Sequence, residues 1–303
     1  MNFLLHADSE GDLFHRIYKS VLLEGLLDTL KIIPFLFITY ILMELIEHKA
    51  SNKTRAFMEK SGSLGPLAGG VLGAVPQCGF SAAAANFYTG RVITLGMLVS
   101  VFLSTSDEML PILISGKISA TSILAILGYK AAVGIFVGFM IDLALKLTNH
   151  NKKPINIDEL CDNDNCHCER GVIFSAIHHT LTIGAFILLM TMILNGLVLA
   201  IGEDNIKDIL YDKPIISHFI AAIVGLVPNC AASVALTNLC LEGYITAGTM
   251  LSGLFSGAGV GLLILFKINK NIKENLIIVA ILIASGIIFG SLADIMNFSS
   301  LIK

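Results

Sequence analysis

Apolar residues dominate eight stretches of the chain, and polar segments separate these stretches. Leucine, isoleucine, valine, phenylalanine and alanine fill them with few charges in between. Because about 20 apolar residues in a helix cross the hydrocarbon core of a bilayer, the pattern predicts an all-α polytopic membrane protein. The stretches lie at 21–46, 64–89, 92–115, 118–147, 172–201, 215–241, 244–266 and 275–297.

The composition supports a membrane location and excludes three other classes of protein. Of the 303 residues, 55% are hydrophobic and 14% are charged, whereas about a quarter of the residues in a soluble domain are charged. The 20 lysines and arginines do not outnumber the 23 aspartates and glutamates, so no nucleic-acid partner is expected. Six cysteines are too few for a secreted disulfide scaffold, and the apolar content excludes a disordered chain. Residues 1–20 lack the pattern of a cleaved signal peptide and are expected to be mature sequence.

An internal repeat relates two parts of the chain. The segment VPQCGFSAAAANFYTGRVITLGMLVSVFLS (75–104) aligns without gaps with VPNCAASVALTNLCLEGYITAGTMLSGLFS (227–256). A weaker match relates DTLKIIPF (28–35) to HTLTIGAF (179–186). Shared polar residues at fixed offsets indicate a duplication. The identities include Pro76/Pro228, Cys78/Cys230, Ser81/Ser233, Asn86/Asn238, Thr94/Thr246, Gly96/Gly248, Ser100/Ser252 and Ser104/Ser256.

The duplication predicts a first membrane half (1–147), a linker (148–171) and a second membrane half (172–303). Segments 64–89 and 215–241 are predicted to be broken, re-entrant Pro-x-Cys hairpins. Each arm of about 12 residues extends only about 18 Å, roughly half the hydrocarbon thickness. Each half then has three spanning helices plus one hairpin, which gives about 8–10 helical membrane segments and makes the two repeats inverted. Full spans kinked at proline are the alternative.

The distribution of basic residues favours the inverted arrangement. With re-entrant hairpins, a set of lysines and arginines falls on one side of the membrane, as the positive-inside rule requires. The linker is then cytoplasmic, and the N-terminus lies outside. Inverted repeats with broken helices that meet at the midplane are typical of secondary transporters. The basic residues are Lys49, Lys53, Arg55, Lys60, Arg91, Lys152, Lys153, Arg170, Lys267, Lys270 and Lys273.

The two hairpins carry the strongest candidates for a binding site. The tripeptides PQC (76–78) and PNC (228–230) each combine a proline, an amide and a thiol. Two thiols, two amides and freed carbonyls near a pseudo-twofold axis would bind a cation or a thiophilic species. Small core cysteines and hydrogen-bonding asparagines are the alternative. The predicted ligands are Cys78, Cys230, Gln77, Asn229, Asn86 and Asn238.

Charged residues inside the apolar stretches are candidates for coupling. Asp107 and Glu108 lie near the outer end of stretch 92–115 in this topology, and carboxylates at membrane depth are costly and usually functional. They are predicted to serve as a cation ligand or proton acceptor, with a helix end at the interface as the alternative. Lys130 is predicted to pair with them, with snorkelling to an interface as the alternative. Glu44 is a further candidate metal ligand.

The linker contains a cluster of soft metal ligands. Three thiols and an imidazole lie within eight residues of CDNDNCHCERG (161–171). Their spacing is not that of a zinc finger, but the residue types suit a soft or borderline metal ion. The cluster predicts metal capture or sensing in the cytoplasm, and an idle loop is the alternative. The residues are Cys161, Cys166, His167 and Cys168.

At these motifs the chain resembles the bacterial heavy-metal exporters with ten predicted helices, which include arsenic efflux proteins and manganese transporters. The resemblance implies ten helical pieces and the efflux of a metal or metalloid. The chain is more distantly similar to the organoarsenical permeases, in which a hairpin-like segment carries a Cys-x-Cys pair, whereas each hairpin here has one cysteine. The resemblance runs through TLKIIPFLFITYILMELIEH, VPQCGFSAAAANFY, VFLSTSDEMLPI, the Cys/His linker, HHTLTIGAFI and VPNCAASVALTNL.

The sequence therefore predicts a multi-pass secondary transporter of the bacterial inner membrane. It would export a toxic or excess ion, either an arsenite-type metalloid or a divalent metal such as manganese, with Asp107, Glu108 and Lys130 in coupling. The alternative is a carrier or channel for a small anion or organic solute that uses half-helix termini as its binding field. An intramembrane thiol enzyme would need a base beside the hairpin cysteines, and the nearby sequence offers none. Neither enzymatic activity nor a required cofactor is expected; the partners are the ion and the bilayer, and a homo-oligomer is compatible.

Overall fold

The computed structural model describes the helical core of both halves. Within the described residues the regular structure is helical throughout, which confirms the predicted all-α polytopic membrane protein. Four helical segments in this part of the chain are long and apolar enough to cross a membrane: Leu95–Ser115, Ala120–Leu147, Ala247–Ile268 and Ile272–Ile295. The described residues are 23, 26–27, 29–30, 33–34, 37–38, 41, 64–75, 78–106, 109–147, 177–178, 180–189, 192–193, 214–228 and 230–301.

Five helices of the first half have counterparts in the second half. The first series is α1 (Gly65–Gly73), α2 (Cys78–Thr89), α3 (Leu95–Ser104), α4 (Met109–Ser115) and α5 (Ala120–Leu147). The second series is α6 (Pro214–Gly225), α7 (Cys230–Leu241), α8 (Ala247–Ser256), α9 (Val260–Ile268) and α10 (Ile272–Ile295), followed by a 3-10 helix at Phe298–Leu301. An offset of 152 residues relates the starts of α2, α3 and α5 to those of α7, α8 and α10.

Each Pro-x-Cys segment interrupts a helix. In the first half α1 ends at Gly73 and α2 begins at Cys78; in the second half α6 ends at Gly225 and α7 begins at Cys230. Proline removes a backbone donor and clashes with the preceding turn, so the helix ends before it. The helices that flank these two interruptions contain 9 or 12 residues, fewer than a helix needs to cross the hydrocarbon core. They are α1, α2, α6 and α7.

A second break divides the next apolar segment of each half, and hydrophobic periodicity does not predict it. α3 ends at Ser104, and Thr105 turns to an extended backbone with ψ of 132° while its hydroxyl donates to the carbonyl of Val101 at 2.7 Å. Such hydroxyl bonds compete with the helix. In the second half α8 ends before Gly257, and α9 starts after Gly259, whose φ of +52° favours glycine.

Small residues let the spanning helices of each half approach closely. A Cβ atom at Gly138 of α5 would lie 3.0 Å from Ser100 Cβ and 2.5 Å from the carbonyl oxygen of Gly96 on α3. The second half repeats the contact, because a Cβ at Gly290 of α10 would lie 2.6 Å from the carbonyl oxygen of Gly248 on α8. In a bilayer such close backbone packing is a main source of helix association.

The two halves are interlaced rather than merely adjacent. The hairpin helix α2 packs against α9 of the second half, and α7 packs against α4 of the first half. A Cβ at Gly261 would lie 2.7 Å from the carbonyl oxygen of Ser81, so α9 and α2 meet almost backbone to backbone. The hydroxyl of Tyr129 on α5 donates to the carbonyl of Phe289 on α10 at 2.6 Å.

An ion pair joins the turn before α3 to the start of α10. The Arg91 guanidinium donates to both carboxylate oxygens of Glu274, at 3.0 and 3.3 Å, and the Tyr88 hydroxyl donates to the same carboxylate. Burial by itself lowers the pKa of Arg91, but the hydrogen bonds and charge of Glu274 raise that pKa above its ordinary value. The pair connects the two halves at one end of the helices.

Candidate functional site

The ends of two broken helices meet at a buried lysine. Lys130, on α5, is completely buried, and its ammonium donates to the carbonyl of Thr105 at the end of α3 and, at 3.1 Å, to the carbonyl of Leu254 in the last turn of α8. Its Nζ atom also lies 5.7 Å from the centre of the Phe255 ring. A helix C-terminus exposes carbonyls and partial negative charge, which an ammonium group satisfies.

Lys130 thereby contacts both halves at once. Its burial is incompatible with snorkelling to an aqueous interface, the alternative to a coupling role. The predicted partners Asp107 and Glu108 lie outside the described residues. The described residues on either side of them, Ser106 and Met109, are buried.

The hairpin cysteines are the first residues of two helices. Cys78 opens α2 and Cys230 opens α7, but their side chains, like Gln77 and Asn229, lie outside the described residues. One turn into α2, Ser81 is completely buried against α9. The predicted midplane site of thiols and amides therefore stays a prediction.

The two asparagines of the repeat differ in burial. Asn86 on α2 is 2% exposed, whereas Asn238 at the same repeat position on α7 is exposed. The two side chains therefore occupy different surroundings despite their equivalent sequence positions. Several other predicted ligands lie outside the described residues: Glu44, Cys161, Cys166, His167 and Cys168.

A carboxylate caps α3, and its repeat counterpart caps α8, a pair that the sequence analysis missed. Asp142 on α5 accepts from the Thr94 hydroxyl at 2.8 Å and from the Gly96 amide at 2.9 Å. Asp294 on α10 makes the matching bonds in the second half, to a hydroxyl at 2.6 Å and an amide at 2.8 Å. Extending the repeat alignment past residue 104 at the same offset pairs these two aspartates and would have found them.

The second half adds a histidine to this cap. His218 on α6 is 6% exposed; its Nδ1 lies 2.8 Å from Ser252 Oγ, and its Nε2 lies 3.2 Å from Asp294 Oδ2. The repeat position of His218 in the first half is Pro66, whose carbonyl accepts from the Ser100 hydroxyl at 2.7 Å. The two halves therefore share a carboxylate and a serine but differ in the group between them.

The described residues contain no group of three or more His, Cys, Asp or Glu side chains that could hold a metal ion. The described part of the hairpins also contains Cys240, a buried cysteine without a disulfide near the end of α7. It lies ten residues beyond Cys230, about 15 Å along the helix, and is too far away to share a coordination sphere with it.

The helix breaks lie at equivalent positions of the internal repeat, within a bundle of apolar helices. This arrangement defines the class: a multi-pass membrane protein of the transporter type. Comparison with family models matches residues 19–204 to the family described as "Putative, 10TM heavy-metal exporter". That match covers more than half of the chain, so the protein belongs to this family, which is a transporter family. Neither the curated proteins nor the solved structures gave a match.

Proposed function

We propose that the protein is a secondary transporter that exports a metal or metalloid ion across the bacterial inner membrane. The observation that carries this proposal is the meeting of two broken helices, one from each half, at the ammonium of Lys130. Broken helices that meet inside the membrane leave carbonyls and amides available to a transported ion. The family membership supplies the class of cargo.

Contacts at one end of the helices support the inverted orientation of the halves. α5 ends where α3 begins, because Asp142 accepts from the Gly96 amide. The turn just before α3 holds Arg91, which pairs with Glu274 in the first turn of α10. α5 therefore arrives at this end and α10 departs from it, as inverted repeats require. Alternating access would then exchange two similar arrangements of the halves.

The cargo would bind between the hairpin tips and the central helix breaks. Cys78 and Cys230 would supply thiols, which favour arsenite or a soft divalent metal. Gln77 and Asn229 would supply amide oxygens, which suit a harder ion such as manganese(II). Asp107 and Glu108 would offset the charge of Lys130 and of the ion.

A carrier for a small anion is the second candidate, and the buried ammonium of Lys130 favours it. A fixed positive charge where α3 and α8 end would attract an anion rather than repel it. Such a carrier would not need the two hairpin thiols, which separates it from a thiol-dependent exporter by experiment.

The first test is the metal content of cells that express the protein. Cells with the wild type, Cys78→Ala/Cys230→Ala or Cys240→Ala are challenged separately with manganese, zinc, cadmium and arsenite. We expect the wild type and Cys240→Ala to lower the content of one of these, and the double variant to lose this effect. Cys240→Ala is the matched control, because it removes a hairpin-helix thiol outside the proposed site.

Equal content in all strains, with membrane expression verified by immunoblot, would contradict metal export. Uptake assays with radiolabelled small anions would then test the second candidate. Export that survives loss of both cysteines would keep the transporter but remove the thiols from its site.

A further inference from the structure

A buried histidine joins a serine to a carboxylate at the end of α10. Ser252 is completely buried on α8, His218 is 6% exposed on α6, and the Asp294 side chain retains 25% exposure. The imidazole bridges them, with Nδ1 at 2.8 Å from Ser252 Oγ and Nε2 at 3.2 Å from Asp294 Oδ2. The proposed binding site does not use this network, and the cap of α8, formed by Thr246 and Asp294, does not need the histidine.

The hydrogen bonds of this network are satisfied with either of two proton contents. The single proton of the Ser252 hydroxyl has two acceptors within reach: the Gly248 carbonyl at 3.0 Å and His218 Nδ1 at 2.8 Å. If the hydroxyl donates to Nδ1, a neutral imidazole donates from Nε2 to the Asp294 carboxylate. If the hydroxyl instead donates to Gly248, Nδ1 must carry a proton, and the histidine–carboxylate pair holds one proton more. One hydroxyl rotation therefore absorbs the change.

The surroundings of the pair are defined by the elements packed on it. The start of α8 contributes the Gly248 amide and, just before the helix, the Thr246 hydroxyl, both of which donate to Asp294. From α7, Cys240 is the titratable group that Asp294 faces among the described residues, and its thiol is buried. The 3-10 helix contributes the neutral Ser299 hydroxyl, which accepts from the first amide of α8. The exposed fraction of Asp294 gives a proton a path to the buried imidazole.

The first half cannot hold a proton in the same way. Pro66 occupies the position of His218 and has no ring nitrogen that could take up a proton. The Ser100 hydroxyl donates to the Pro66 carbonyl instead, and Asp142 serves as a helix cap. The histidine therefore makes the repeat chemically one-sided.

We propose that His218, Asp294 and Ser252 form a proton-binding site that couples transport to the proton gradient. The coupling role rests on the proposed function, whereas the binding of the proton does not. In the inverted topology α10 ends on the outer side, so the proton would enter through Asp294 from outside. It would leave on the cytoplasmic side as the halves exchange orientation, in return for an exported ion. Histidine suits this role because its charge changes near neutral pH.

The proton site is tested without any transported ion. Infrared difference spectra of the purified full-length protein are recorded between about pH 5 and about pH 8, the range in which histidine changes charge. We expect the wild type to show imidazole and carboxylate bands that change together. His218→Gln and Asp294→Asn should each lose this joint change. Ser100→Ala, which alters the first-half counterpart of Ser252, should keep it. A His218→Gln spectrum identical to that of the wild type would overturn the proposal.

The coupling role is tested in proteoliposomes with the ion identified by the cell assay, at zero membrane potential. With one proton exchanged per ion, a gradient of about one pH unit supports about tenfold accumulation. We expect the wild type to accumulate the ion, and His218→Gln to exchange labelled for unlabelled ion without accumulating it. Accumulation by His218→Gln equal to that of the wild type would overturn coupling. If the wild type exchanged none of the four ions tested in cells, the proposed function would be contradicted, and the coupling role with it. The infrared spectra would still decide whether His218 and Asp294 bind a proton.

Discussion

The two halves of the protein share a carboxylate that caps a helix and differ in the titratable groups around it. Asp142 and Asp294 cap equivalent helices with bonds of nearly equal length. Between carboxylate and serine, however, the first half has Pro66 where the second has His218. The two halves have therefore kept these caps and differ beside them at a position that can change charge.

The same contrast recurs at the centre of the molecule. Lys130 on α5 corresponds in the repeat to Leu282 on α10, and both side chains are completely buried. At this repeat position the first half therefore has a buried charge, and the second half has a buried apolar side chain. Such differences give the inward-facing and outward-facing states of an inverted repeat different chemical surroundings.

Replacing Lys130 with leucine, the residue at its repeat counterpart Leu282, should have the largest effect on transport and stability. Lys130→Leu would remove the donor to the Thr105 and Leu254 carbonyls, at about 1–3 kcal/mol for each buried acceptor left unsatisfied. We expect export to fall to the background of empty membranes and the thermal unfolding temperature to drop. Leu282→Met is the control, since a volume-conserving change costs less than about 1.5 kcal/mol. Export by Lys130→Leu at the wild-type rate would mean that the ammonium has no part in transport.

Enlarging the small residues between spanning helices should have a smaller effect, similar in the two halves. Gly138→Ala and Gly290→Ala would each force a Cβ against the facing helix, and overpacking typically costs about 1–3 kcal/mol. Thermal unfolding in detergent measures the loss. Gly128→Ala is the matched control, because a Cβ there meets nothing within 4 Å. Helix propensity predicts that the free energy of unfolding of Gly128→Ala stays unchanged or rises by up to about 1 kcal/mol. A loss in only one half would show that the packing is not equivalent.

Neutralising the two caps should have the smallest effect on stability and the sharpest difference in function. Asp142→Asn and Asp294→Asn should each cost about 1 kcal/mol, because the amide keeps one acceptor but loses the added strength of hydrogen bonds to a charged group. Only Asp294→Asn should remove the dependence of transport on the pH gradient, because only this carboxylate contacts a histidine. Unfolding curves and proteoliposome accumulation measure the two quantities. Equal loss of pH dependence in both variants would refute the one-sided proton site.

Much of the fold could be predicted from the sequence, because a membrane-spanning helix requires a long apolar segment. The repeat correctly matched the helices that begin at Cys78 and Cys230, and the proline before each cysteine located a break. The breaks after Ser104 and Ser256 escaped prediction, since hydroxyl bonds to the backbone leave no trace in hydropathy. Extending the apolar pattern alone predicted unbroken spans there.

The candidate site was less accessible to sequence reasoning. Lys130 was recognised as a buried charge, but its backbone acceptors on α3 and α8 carry no residue signature. His218 and Asp294 are 76 residues apart and are joined only by the packing of α6 against α10. The repeat offset, applied beyond the aligned segment, would have revealed the aspartate but not the histidine, which has no counterpart in the first half.

The interlaced packing of the hairpin helices has a consequence for biogenesis. α2 finds its partner α9 only after some 180 more residues have been synthesised, which takes roughly 10 to 40 seconds of translation. During that interval the backbone of α2 around Ser81 lacks the surface of Gly261 that will cover it. The newly inserted first half must therefore remain in the bilayer with this packing surface uncovered. Until α9 and α10 are inserted, the surface is accessible to membrane chaperones and quality-control proteases.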